Sequence, residues 1–362
     1  MGLKTAVVGA GHLGKIHASK LRTLEEFELV VVVDPDESAR QAAAEQFNVA
    51  VDADHRPWLD RVDAVIVASP TTHHHAAARD FLEAGVHALV EKPLASSVDE
   101  ATDLVETARR SQTALQVGHV ERFNPAWTAA RPHLQRPVHI ECVREGMFTL
   151  RSTDIGVVHD LMIHDIDLTL SLVHSPLVDV EADGTALLGA HEDTAYARLQ
   201  FADGCTAVLS ASRVSPTTSR QMRVRTDGTI ATIDFNTKQA TLLDLDPRVR
   251  DGGLGVERMS TAERAEWKSR LTTELVVRRE LTVEPADAIT AELKDFATAI
   301  RRGRRPTVAG VDALESLRVA QRILEAVAAS RDEAKRSRRT ATIPAPHWMK
   351  SHIALSARRH AG

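Results

Sequence analysis

From Val158 to Leu168 the chain reads Val-His-Asp-Leu-Met-Ile-His-Asp-Ile-Asp-Leu, and Asp160, His164 and Asp167 recur in it at i, i+4 and i+7. On a helix these three residues share one face. An aspartate beside a histidine orients the imidazole and raises its basicity, so the stripe can house a general base; a solvated helix face has the same spacing. A second reactive group stands in Glu91-Lys92-Pro93-Leu94, just after the apolar run Ala88 to Val90. An ammonium at a strand end can stabilise the alkoxide that develops as a secondary alcohol gives up hydride. A surface lysine before a turn-forming proline is the alternative at that position.

A third group of residues binds rather than reacts. Gly9-Ala10-Gly11-His12-Leu13-Gly14 follows the β-branched run Thr5 to Val8 and opens a helical stretch. In that context the first glycine makes a tight turn, the second admits a pyrophosphate against the backbone, and the third lets helix and strand pack closely. Twenty residues after Gly14, Asp34 ends the next apolar run. A carboxylate there accepts the adenosine ribose hydroxyls and repels a 2′-phosphate, which selects NAD over NADP; Arg40 is the nearby residue able to soften that choice.

Ligands of parallel sheets bind beyond the carboxyl ends of the strands. Two such ends carry polar clusters, Ser69-Pro70-Thr71-Thr72-His73-His74-His75 and Glu91-Lys92. The candidate cofactor contacts are therefore Gly9, Gly11, His12, Leu13, Gly14, Asp34, Ser69, Thr71, His74, Glu91 and Lys92. No metal is expected, because adjacent histidines entering a helix fan out by about 100° each and cannot converge on one ion.

The elements that position these residues follow from periodicity. Up to Val117, short apolar runs alternate with amphipathic stretches, the rhythm of βαβ units on a parallel sheet; Ser97 with Glu100 marks one helix start. From Val138 the pattern changes to long alternating segments: 138–148, 178–188, 194–201, 205–213, 221–226, 229–235 and 274–283, with Asp203-Gly204 and Asp227-Gly228 at hairpin turns. A helix is expected near 157–173, and two more at 285–301 and 314–328. Residues 247–270 read as a surface excursion and the basic end from 330 as a solvated tail. The expected fold is α/β. A Rossmann domain spans 1–122, an α/β domain with a large, mostly antiparallel open sheet spans 123–330, and a charged tail spans 331–362.

Composition limits the partners. A chain of 362 residues exceeds the size at which single cores stop growing, roughly 250 to 300 residues. With 43% apolar residues, 26% charged residues and a net charge of −5, nothing calls for nucleic acid or an anionic membrane. The two cysteines, Cys142 and Cys205, form no disulfide framework, and no leader or membrane span is evident, so a cytoplasmic protein is expected.

Taken together, these motifs resemble the glucose-fructose oxidoreductase, inositol dehydrogenase and rhizopine-catabolism (Gfo/Idh/MocA) family over about residues 3 to 330. The resemblance is carried by the glycine loop with His17, Pro70-Thr71-Thr72-His73-His74, Gly85-Val86-His87, Glu91-Lys92-Pro93, Asp160 with His164 and Asp167, and Arg305-Pro306. It implies that Lys92, Asp160 and His164 are catalytic, with His164 the proton acceptor. It also implies a homodimer or homotetramer formed through the open sheet. Val117 to Pro125 and Asp160 to Leu168 are similar to a branch that includes UDP-N-acetylglucosamine 3-dehydrogenases. In that branch Arg122, Asn124, Arg144 and Arg151, with His164, become candidates to hold the sugar and pyrophosphate of a nucleotide sugar. His159 stands where the branch has an apolar residue. Oxidation of an inositol or free sugar, and a non-catalytic NAD-binding sensor, are the alternative readings.

Overall fold

The computed structural model describes residues 2–149, 155–250 and 254–340. The first sheet has six parallel strands, β1 (Leu3–Val8), β2 (Phe27–Val33), β3 (Ala50–Asp52), β4 (Ala64–Val67), β5 (His87–Glu91) and β6 (Leu115–Gly118), in the order β3-β2-β1-β4-β5-β6. Helices α1 (His12–Leu21), α2 (Glu37–Phe47), α3 (His74–Glu83) and α4 (Val98–Arg110) connect them. Both faces are covered: Ala6, Val8, Val65, Val67 and Val90 enter one core, while Val7, Val32, Ile66 and Leu89 enter another. Burial on both faces is why these strands read as unbroken apolar runs. Ser97 caps α4 as its sequence predicts, accepting from the Glu100 amide.

After α5 (Pro125–Ala130) comes a second sheet of eight strands: β7 (His139–Met147), β8 (Leu177–Thr185), β9 (Thr194–Phe201), β10 (Thr206–Ser212), β11 (Val214–Arg225), β12 (Thr229–Asp234), β13 (Gln239–Leu245) and β14 (Val276–Glu280). Its order is β14-β13-β12-β11-β7-β10-β9-β8, antiparallel throughout except that β7 and β10 run parallel. Alternate residues such as Ile140, Cys142, Leu199, Met222 and Val224 pack beneath α6 (Ile163–Leu172), whereas Val143, Tyr196 and Val208 lie exposed on the other face. The excursion carries α7 (Pro247–Arg250) and α8 (Thr261–Arg270), which bury nothing.

Four features depart from the sequence reading. Strand β13 was not anticipated, because adjacent Leu242 and Leu243 blur its alternation, and β11 begins seven residues before the expected position 221. The cores do not divide at a single point of the chain. Helix α9 (Ala288–Arg302) returns Leu293 and Phe296 to the first sheet, and α10 (Gly310–Thr340) places Leu314 and Leu317 in the first unit's core and Ile323 and Val327 in the second's. Residues 331–340, expected in the tail, continue α10; residues 341–362 lie outside the described residues.

Candidate active site

The glycine loop leaves β1 with Gly9 at φ +100°, a left-handed conformation, and a Cβ there would sit 2.6 Å from the Ser69 amide nitrogen. A Cβ on Gly14 would collide with the Gly9 carbonyl oxygen. Gly11 faces open space and is the N-cap of α1 without a side-chain cap, so the first-turn amides stay free for phosphate oxygens. His12 and Leu13 flank this opening, exposed. Asp34 Oδ2 accepts from the Ala10 amide at 2.7 Å, which tethers the carboxylate of β2 to the loop. Arg40 spends Nη1 on the carbonyls of Asp34 and Pro35, both at 2.8 Å. The residues present fit a dinucleotide without a 2′-phosphate.

At the neighbouring strand ends, Ser69 Oγ is shielded from solvent with no hydrogen-bond partner among the described residues, and Thr71 is buried at the turn before α3. His74 and Glu91, expected to touch the cofactor, face inward instead. The His74 ring lies between the carbonyl oxygens of Ser69 (2.8 Å) and Pro93 (2.9 Å), tying the two strand-end loops together. Glu91 Oε1 is 2.7 Å from Nε2 of fully buried His17. Burial alone would raise the Glu91 carboxyl's pKa, but His17 and then Lys92 hold it below the usual range. Both residues therefore support the wall of the cleft from behind. His75 turns to Asp103 on α4, 2.8 Å away, so the three histidine rings diverge.

Lys92 reaches across to the turn that leads into the helix of His164. Its Nζ donates to the Asp160 carbonyl at 2.6 Å and to Oδ1 at 3.0 Å, which leaves one N–H for a further acceptor. His164 makes no hydrogen bond among the described residues, and its Nδ1 is shielded and unpartnered. The ring meets His119 edge to face at 6.1 Å between centroids. Burial, then the cation of Lys92, with Arg144, His119 and Arg220 adding to it, holds the imidazole well below its ordinary pKa, so it is neutral and free to accept a proton.

The carboxylates of the stripe do not serve His164. Asp160, in the π-helical turn Val158–Met162, accepts from Lys92 and makes no hydrogen bond to His164. Asp167 accepts instead from Arg122, at 2.7 and 3.3 Å. The basicity-raising Asp–His contact expected from the spacing is therefore replaced by an Asp–Lys contact and a bare imidazole.

Three of the expected substrate residues are committed to the fold. Arg122 is locked on Asp167. Asn124 caps α5 and donates to Glu121 and to the Phe235 carbonyl. Arg144, 3% exposed, gives Nε and Nη2 to Asp165 and Nη1 to Glu121. Arg151 lies outside the described residues. Sequence reasoning missed Arg220, which the β7–β11 register sets opposite Arg144 on the inner face, exposed. Stepping by twos back from Val224 and Met222 would have found it. His159 also stands out: its Nε2 is shielded and unpartnered, beside a cavity of about 300 Å³ lined by Thr71, Ser96, Pro93, His191 and Glu192.

Comparison with known proteins identifies the family of the fold. Residues 3–119 match an oxidoreductase family with an NAD-binding Rossmann fold, Gfo/Idh/MocA, and residues 107–234 match the Gfo/Idh/MocA C-terminal domain. The chain is 34% identical over 337 residues to UDP-N-acetylglucosamine 3-dehydrogenase of Acidithiobacillus ferrooxidans, covering 90% of this chain and 98% of that one. The crystal form of that enzyme superposes with a TM-score of 0.79 at 31% identity, over 91% of this chain and 99% of the other. Levoglucosan dehydrogenase in complex with NADH shares the fold, with a TM-score of 0.76 at 16% identity over 91% and 97%.

Proposed function

The chain belongs to the Gfo/Idh/MocA family of NAD-binding oxidoreductases, and on that premise we propose that it oxidises the C3 hydroxyl of UDP-N-acetylglucosamine, or of a close nucleotide sugar, to the 3-keto sugar. The observation that carries the reading is the pairing of Lys92 with Asp160 beside a neutral, unbonded His164. NAD, held by the glycine loop and Asp34, supplies the hydride acceptor. Asp160 fixes the Lys92 ammonium, whose remaining N–H holds the reacting oxygen and stabilises negative charge as it develops there. His164 accepts the hydroxyl proton. Ser69 and Thr71 complete the cofactor side of the cleft.

The likeness to the Acidithiobacillus enzyme, which spans nearly its whole length, supports the nucleotide-sugar substrate over an inositol or free sugar. We place the enzyme in the cytoplasm as a homodimer or homotetramer joined through the outer face of the second sheet. Exposed Val143, Tyr196 and Val208 on that face support the assembly, and no helix among the described residues is long and apolar enough to cross a membrane. Reduction of NAD by the purified protein with UDP-N-acetylglucosamine, myo-inositol and glucose tests the substrate. The expected result is turnover of the nucleotide sugar far above the other two; turnover of inositol alone contradicts it. NADH binding with no turnover of any polyol would favour a sensor.

A further inference from the structure

The inner face of the second sheet carries two arginines directly opposite each other, Arg144 on β7 and Arg220 on β11. Arg144 is enclosed and bonded through Nε and Nη2 to Asp165 and through Nη1 to Glu121, with the Phe235 ring centroid 5.6 Å from its guanidinium. Arg220 follows the same alternation as buried Met222 and Val224, yet it is exposed, and its guanidinium makes no hydrogen bond or ion pair among the described residues. A guanidinium present only to balance Asp165 and Glu121 would bond to one of them. Both oxygens of Asp165 are occupied by Arg144, and those of Glu121 by Arg144 and Asn124. Arg144, directly opposite Arg220, holds Asp165, the neighbour of His164 on α6, so the unspent donors of Arg220 sit one residue pair away from the helix that carries the imidazole.

We infer that Arg220 binds the diphosphate of the substrate and so separates nucleotide sugars from uncharged polyols, an inference that rests on the nucleotide-sugar reading above. A planar guanidinium offers paired N–H donors to phosphate oxygens, and an inositol or free sugar has no anion to accept them. Arg220 thus fills the role that Arg122 and Arg144, committed to carboxylates, do not.

Binding of UDP to the wild-type protein and to Arg220→Gln, measured by calorimetry, tests this, with NAD affinity as the check on folding. Loss of a charge-assisted contact predicts UDP binding weaker by about tenfold to a hundredfold, with NAD affinity unchanged. The preference in kcat/KM for UDP-N-acetylglucosamine over free N-acetylglucosamine falls by a similar factor, and Arg220→Lys recovers part of it. Equal UDP affinity in wild type and Arg220→Gln overturns the assignment to Arg220 while the nucleotide-sugar reading stands. A wild-type protein that binds no UDP overturns both.

Discussion

Lys92–Asp160, in the turn that leads into the helix of His164, and Arg144–Asp165, on that helix, share one chemistry, a cation on an aspartate. The second pair is almost sealed, with side chains 3% and 2% exposed, and Glu121 completes the set of partners for Arg144. The first is open to the cleft, at 15% and 21%, and Lys92 keeps a donor unspent. An enclosed pair holds structure in place, whereas an anchored cation that opens on the cleft and keeps a free donor can act on a substrate. The contrast predicts that the two pairs fail in different ways.

The largest effect is expected from Lys92→Ala, which should lower turnover about a thousandfold or more while leaving NAD affinity and the melting temperature nearly unchanged. Turnover at the wild-type rate would remove Lys92 from the chemistry. Arg144→Leu should behave in the opposite way and lose stability by about 3 to 5 kcal/mol, because Asp165 and Glu121 remain buried without their cation. Chemical denaturation measures this directly; a variant as stable as the wild type with impaired catalysis would invert the comparison.

A smaller effect concerns pH. In the proposed reaction the neutral form of His164 is the acceptor, and its pKa is held well below 6.5, so kcat/KM should stay flat through neutrality and fall only on the acid side of the ordinary histidine range. Lys92 is the leading electrostatic cause after burial. In Lys92→Met the imidazole therefore becomes easier to protonate, and the acid limb of the residual activity should move to higher pH. A limb that stays in place in that variant would show that the cation of Lys92 does not act on His164.

Much of this molecule is written locally. The glycine loop, Asp34 and the alternation of apolar runs with helices are short-range signals, and the parallel sheet follows from them because each βαβ unit is specified by its own periodicity. Lys92 and His164 could be singled out for the same reason. What surrounds His164 could not be read from spacing, because the turn at Val158–Met162 is π-helical and Lys92, 68 residues away in sequence, meets Asp160 there. The arginines show the same limit on a sheet. Whether an arginine is satisfied or free depends on strand register and on which helix covers it, so Arg144 and Arg220 differ only once β7 and β11 are paired.

The most direct test of the cleft as a sugar-oxidising site uses UDP-N-acetylglucosamine carrying deuterium at C3. Incubated with NAD and the wild-type protein, it should yield deuterated reduced nicotinamide and a 3-keto nucleotide sugar, and the Lys92→Ala protein should yield almost neither. Recovery of the labelled sugar unchanged from the wild-type reaction, while an unphosphorylated polyol reduces NAD under the same conditions, would contradict the account.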